Sequence, residues 1–190
     1  HAEVHENALV RELIPGLASL AGQIGDPAVR HRGTIGGSCA NADPAADYPA
    51  GTVGHGATFV TNKRKIAADD FFLGLFETAL EPGEIIVGVR VPIPVWSHYQ
   101  KLRHPASGYA VVGVLVAQTK AGVRVAVTGA GPSVFRVKAM EEALTKDFSV
   151  KAIENIKVDA DDLNNDIHAS AAYRAHVVTV LAKRAVAARG

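Results

Sequence analysis

Between Thr34 and Asp47 the chain reads Thr-Ile-Gly-Gly-Ser-Cys-Ala-Asn-Ala-Asp-Pro-Ala-Ala-Asp, and this stretch says more about function than the rest of the chain combined. Gly36 and Gly37 lack Cβ atoms, so the main chain there can pass close to another group. A helix starting beside them would present N–H groups to an anion. Thr34, Ser38 and Asn41 add side-chain donors, while Asp43 and Asp47 can accept from ribose or ribityl hydroxyls. Phosphate and hydroxyl partners in that combination belong to a dinucleotide. The pattern is not the Rossmann fingerprint, which needs a third glycine at fixed spacing, nor a P-loop with its Gly-Lys-Ser/Thr. On local chemistry alone, a structural turn accounts for Gly-Gly and Asp-Pro equally well.

The surrounding pattern predicts an α+β chain. Leu9, Leu13, Leu17, Leu20 and Ile24 recur at helical spacing, and Pro15 divides them into two short helices, standing near the start of the second. Residues 25–37 read as a glycine- and proline-rich loop, and residues 45–51 as a short helical turn. Residues 57–61 form a strand, Asn62-Lys63 a turn and residues 64–67 its return. Residues 85–91, dense in β-branched side chains, form a third strand. Pro92 and Pro94 mark a boundary near residue 95, which gives domains over 1–95 and 96–190. Beyond it, strands are expected over 97–102, 109–118 and 122–128. Helices are expected over 136–145 and 150–156 and from about Ser170, the last carrying Tyr173, Val177, Val180, Leu181 and Ala188 on one apolar band. Three strands followed by three helices define an antiparallel α+β unit.

Composition mainly excludes. A chain of 190 residues buries a sizeable core, and a net charge of +1 gives no footprint for nucleic acid or an anionic membrane. A single cysteine rules out an internal disulfide framework and a cysteine-ligated iron–sulfur or zinc site within the chain. No apolar run approaches the roughly 20 residues of a membrane span. With no leader visible, a cytoplasmic location is the default. His1 and His5 have helical ligand spacing without a third ligand, and the other histidines form no signature, so no metal is expected. Cys39, between Ser and Ala, reads as a small buried residue rather than a redox thiol. Arg30 and Arg32 read as structural or solvated.

The stretch 34–47 closely resembles the second flavin-binding motif of molybdenum hydroxylase flavoprotein subunits. These are the medium chains of carbon monoxide dehydrogenase and the middle portion of xanthine dehydrogenase. Asp26-Pro27-Ala28-Val29-Arg30-His31-Arg32-Gly33 leads into it in the family manner, with His31 where relatives often place Asn. Ala68-Asp69-Asp70-Phe71-Phe72, Glu81-Pro82-Gly83-Glu84-Ile85-Ile86, Lys101-Leu102-Arg103 and His104-Pro105-Ala106-Ser107-Gly108-Tyr109-Ala110 are further landmarks. The resemblance covers nearly the whole chain, with residues 145–165 least distinctive.

That resemblance implies FAD as cofactor. It also implies the second subdomain of a vanillyl-alcohol-oxidase/PCMH-type FAD-binding domain, followed by a three-stranded antiparallel sheet with three helices. Transferred residue by residue, Thr34, Ile35, Ser38 and Asn41 contact the cofactor, Gly36 and Gly37 admit its phosphate, and Asp47 binds its hydroxyls. Asp43 binds there too or caps the next turn. Ile86 approaches the flavin ring through apolar or backbone atoms and Lys101 through its ammonium. Tyr109 stacks on or screens the ring, or is an ordinary buried strand tyrosine. No catalytic acid or base is implied. The implied role is electron transfer from the 2Fe–2S clusters of a small subunit through FAD to a terminal acceptor. A molybdopterin-bearing large subunit completes a dimer of heterotrimers. His1-Ala2-Glu3-Val4 resembles the family just after its first subdomain, so the N-terminal FAD subdomain, with its own glycine-rich loop, is expected to be lacking. A truncated docking or assembly module that does not hold FAD by itself is the competing expectation. A free-standing flavin oxidoreductase ranks third, since no substrate domain with its own acid or nucleophile is visible.

Overall fold

The computed structural model describes residues 1–190. Three helices open the chain: α1 (Ala2–Glu6), α2 (Ala8–Leu13) and α3 (Pro15–Gly22). Pro15 occupies the first turn of α3, where its missing N–H is no loss, so the expected division falls where proline requires it. Residues 25–37 are not the loop the glycines suggest. Asp26 accepts from the Val29 N–H and Pro27 follows at the first position, which starts α4 (Pro27–Arg32). Thr34 accepts from the Gly37 N–H and starts α5 (Ile35–Asn41). Capping outweighs glycine's helix cost in α5, whereas Gly25 and Gly33 stand outside α4 and do not oppose it. The turn expected at 45–51 is a longer helix, α6 (Asp47–His55), ended by Gly56 at φ 65°.

Strand β1 (Thr58–Thr61) pairs antiparallel with β2 (Lys65–Ala67) in the expected hairpin, and on its other edge with the third strand, β5 (Ile86–Arg90). Between them lies a small hairpin, β3 (Phe72–Gly74) and β4 (Glu77–Thr78), which the pattern does not announce. The second sheet contains β6 (Trp96–Arg103), β7 (Ala110–Thr119), β8 (Gly122–Thr128) and β9 (Phe135–Arg136) in that order. It therefore has a fourth, two-residue strand beyond the expected three. Of the three expected helices, α7 (Lys138–Lys146) and α8 (Ala171–Ala187) form, while the middle one is a single 3-10 turn, Lys151–Ile153. The apolar face of α8 is also rotated from the expected band. Val177, Val178, Leu181, Ala182, Ala185 and Val186 are buried, whereas Tyr173 is half exposed and Ala188 is exposed.

The second sheet is covered on both faces at its centre, which explains the nearly unbroken apolar run of β7 and the apolar stretch of β8. Tyr99, Leu115, Ala117 and Ala126 face a core shared with Leu17, Leu20, Tyr48, Val53 and Phe59. Val112, Val114, Val116, Val123, Val125 and Val127 point the other way, onto Met140, Leu144, Val178 and Leu181. Helix α6 lies hard against the first face. A Cβ on Gly54 would press on Leu115 and stand 3.3 Å from the Ala126 Cβ, so glycine lets the helix lie this close without displacing either.

Candidate functional site

A cleft of about 400 Å³ separates α5 from β5. Thr34, Ile35, Gly36, Gly37 and Ala40 form one wall, and Leu80 with Glu84 to Val89 forms the other. Thr34 is fixed by its own cap, Oγ1 accepting from the Gly37 N–H at 3.0 Å. The first N–H groups of α5 have no acceptor within the helix and are available to a ligand oxygen. A Cβ on Gly36 would come within 3.6 Å of Ile86 Cγ2, so the two walls meet at these residues. Gly88 shares the Ile86 face of its strand, and a Cβ there would meet nothing within 4 Å. Ser38 is half-buried and Asn41 exposed on α5, outside the cleft wall.

Glu84 anchors the strand side, a role its place in the Glu-Pro-Gly-Glu run does not announce. Its carboxylate accepts from Thr61 Oγ1 at 2.7 Å, Arg64 Nε at 3.1 Å and the Glu81 N–H at 2.9 Å. The Arg64 guanidinium foremost, then the Glu81 N–H and the Thr61 hydroxyl, hold its pKa down at about 2. It therefore ties the turn between β1 and β2 to the start of β5.

Asp47 and Lys101 meet each other. Lys101 Nζ donates to the Asp47 carboxylate at 2.9 Å and to the Gln23 carbonyl at 3.1 Å. The two side chains are only 1 % and 2 % exposed, so Lys101 is no surface lysine. The Tyr99 hydroxyl donates to the same carboxylate at 2.6 Å. Burial pushes the Asp47 carboxyl up and the Lys101 ammonium down, and each is pulled back by the other. Tyr99 carried no sequence signal beyond its place in a strand. Asp43 makes the capping contact, Oδ1 accepting from the Ala45 N–H at 2.8 Å.

Tyr109 is 50 % exposed, so the buried strand tyrosine is not what forms. It lines a separate cleft of about 340 Å³ with Pro44, Ala45, His104, His168 and Arg174. The Arg30 guanidinium donates to the Ile24 carbonyl at 2.9 Å, a structural contact. Cys39 is fully buried and desolvation raises its thiol pKa, as suits a packing residue.

The residues fit a dinucleotide with a flat ring. Free N–H groups and a hydroxyl at the start of α5 face an apolar strand across open space, and a Cβ at Gly88 would fill part of that space. Such a cleft offers a dinucleotide N–H donors on one wall and an apolar strand on the other. The FAD-binding domain model of molybdopterin dehydrogenases matches residues 1–94. The carbon monoxide dehydrogenase medium chain of Hydrogenophaga pseudoflava is 33% identical, over 94% of this chain and 68% of the relative. The nicotine 6-hydroxylase medium subunit of Paenarthrobacter nicotinovorans is 31% identical, over 100% of this chain and 72% of its own length. Among solved structures, a carbon monoxide dehydrogenase from Hydrogenophaga pseudoflava superposes with TM-score 0.85 at 32% identity, over 98% of this chain and 71% of that one. Quinoline 2-oxidoreductase from Pseudomonas putida 86 gives 0.84 at 25% identity, over 98% of this chain and 70% of that one. The chain belongs to the family of FAD-binding medium subunits of molybdenum hydroxylases, oxidoreductase components whose cofactor is FAD. No helix is long and apolar enough to cross a membrane.

Proposed function

We propose that this chain holds FAD in the cleft between α5 and β5 and passes electrons from the 2Fe–2S clusters of a small partner subunit to a terminal acceptor. A molybdopterin-bearing large subunit carries out the hydroxylation, in a dimer of heterotrimers. The observation that carries the reading is the cleft that the Thr34–Gly37 start of α5 shares with Ile86 and Gly88, closed where Gly36 approaches Ile86 and open at Gly88. Residues 1–95 act as the FAD-binding unit and 96–190 as its C-terminal companion, a division supported by the family match to residues 1–94.

In this reading Thr34 and the Ile35 and Gly36 N–H groups bind phosphate oxygens, and Gly37 keeps their path clear. Ile86 offers an apolar surface to the ring, and Ser38 and Asn41 reach polar atoms from the flank of α5. Asp43 shapes the turn after the helix. Asp47 and Lys101 fix that turn from inside, their charges directed at the site through the protein rather than through open solvent. Tyr109 lines its own cleft and is not among the residues that face α5 and β5. Bound FAD supplies the exchange between one-electron and two-electron transfer. The protein binds and orients it, and no side chain here is required as a general acid or base.

Titration with FAD, followed by flavin fluorescence and absorbance, tests the reading. Saturable one-to-one binding supports it. Binding that appears only when an upstream FAD subdomain is supplied identifies a half-site, and no binding under either condition leaves a docking or assembly module.

A further inference from the structure

Arg174 lies in the first turn of α8, where the helix dipole disfavours a cation, and it is only 4 % exposed. A buried guanidinium in that position persists only if its partners are well placed. Nη1 donates to the Val111 carbonyl at 2.6 Å and to the Gly129 carbonyl at 2.9 Å, and Nη2 donates to Asp166 at 2.7 Å. One planar group thus bridges the start of β7, the residue after β8 and the segment leading into α8.

The two strand ends that Arg174 joins are the ones that hold the motif's turn. The Gly129 N–H donates to the Pro44 carbonyl at 2.7 Å, and the Ala110 N–H to the Ala45 carbonyl at 3.2 Å. Thr128 Oγ1 adds bonds to the Pro44 carbonyl at 3.0 Å and the Ala46 carbonyl at 2.6 Å. Gly129 manages this at φ 80°, where a Cβ would stand 2.5 Å from the Ala110 carbonyl oxygen. Residues 44–46 are therefore suspended from β7 and β8, within the segment 42–46 that joins the end of α5 to Asp47 at the start of α6.

We infer that Arg174 is a positioning residue for the FAD site: it fixes the spacing of the two strand ends, and through them the α5–α6 turn and the cofactor-facing start of α5. It lies far outside residues 1–94, which the FAD-binding model matches. The inference rests on the FAD reading above.

The test uses the full chain with Arg174→Met, Arg174→Lys and Asp166→Asn. It reads FAD affinity, the visible circular dichroism of bound flavin and the urea midpoint. Arg174→Met is expected to weaken FAD binding about tenfold and to change the visible dichroism. Asp166→Asn also breaks a bond of the guanidinium but leaves those to Val111 and Gly129. It loses stability while binding FAD as the parent protein does. Arg174→Lys, whose ammonium cannot span all three acceptors, falls between and serves if Arg174→Met does not fold. Equal FAD losses in Arg174→Met and Asp166→Asn, tracking stability alone, would overturn the positioning role. So would unchanged affinity and dichroism in both Arg174 variants. Absence of FAD binding by the parent protein under every condition removes the FAD reading and the inference together. Binding by the parent that the Arg174 variants do not alter removes the inference alone.

Discussion

Asp47 and Lys101 stand 54 residues apart and are bound to each other in the interior. Removing one member of such a pair leaves an uncompensated buried charge, which costs more than the net worth of the pair. Lys101→Met should therefore destabilise the protein by about 3–5 kcal/mol. Tyr99→Phe, which removes one hydrogen bond to the same carboxylate, should cost about 1.5–3 kcal/mol. Urea unfolding measures both, and a Lys101→Met loss no larger than that of Tyr99→Phe would refute the buried-pair account. A second residue tests the cleft without touching the core. Gly88→Val adds side-chain volume where a Cβ meets nothing within 4 Å, on a strand where valine is favoured. FAD affinity should fall about tenfold or more with the urea midpoint unchanged or raised. Unchanged affinity would place the cofactor elsewhere. The motif was legible because glycines and short polar side chains leave a local signature. The partnership of Asp47, Tyr99 and Lys101 was not, because a buried ion pair is visible only once the strands and helices are placed.

At the level of elements, chemistry at the boundaries decided more than composition did. Asp26-Pro27 and Thr34 carry ordinary helix-start signals, yet the density of glycine and proline around them reads as loop. The structure follows the caps. The β3–β4 hairpin escapes notice for the opposite reason, since its two strands are too short to show alternation. Glu84 shows how a landmark can be structural. It joins Thr61 and Arg64 to the strand that carries Ile86, and its pKa is lowered from the ordinary 4.5 to about 2. Between those values the unfolded chain takes up a proton that the folded one does not. Its stabilising effect is complete above about pH 4.5 and is lost as the pH falls toward 2. Glu84→Gln should flatten the acid side of the stability curve in that window and loosen β5 against β1. Parallel curves for the variant and the parent between pH 5 and pH 2 would show that the carboxylate is not held as described.

Across the whole molecule, the second sheet is the shared wall of two cores, so neither set of helices can leave without exposing it. Helix α6 is the element most enclosed by this arrangement. All nine of its residues are buried, and Arg124 from β8 reaches over to donate to the Val53 carbonyl at 2.7 Å. His55 ends that helix, 2 % exposed, with Nδ1 at 2.7 Å from the Gly51 carbonyl and Nε2 without a partner. Burial chiefly, with the Arg124 charge a smaller cause, lowers its pKa from 6.5 to about 4. In that interval the unfolded chain is protonated at this site and the folded chain is not, so stability declines as the pH falls from 6.5 toward 4. The window lies above that of Glu84 for most of its range, and the two groups can be assigned by separate substitutions. His55→Gln, which cannot take up a proton, should reduce the slope in the urea midpoint between pH 6.5 and pH 4.5, the remainder belonging to His98, whose pKa burial also lowers. Because α6 is packed against the sheet that both cores share, the parent protein should unfold there in one transition, with tryptophan fluorescence and far-ultraviolet dichroism coinciding. Trp96 lies beside the second core, so its fluorescence reports on that face, while far-ultraviolet dichroism sums the helices of both faces. Separated transitions would mean that the two faces do not unfold together, and a slope as steep in His55→Gln as in the parent would mean that the window belongs to another group.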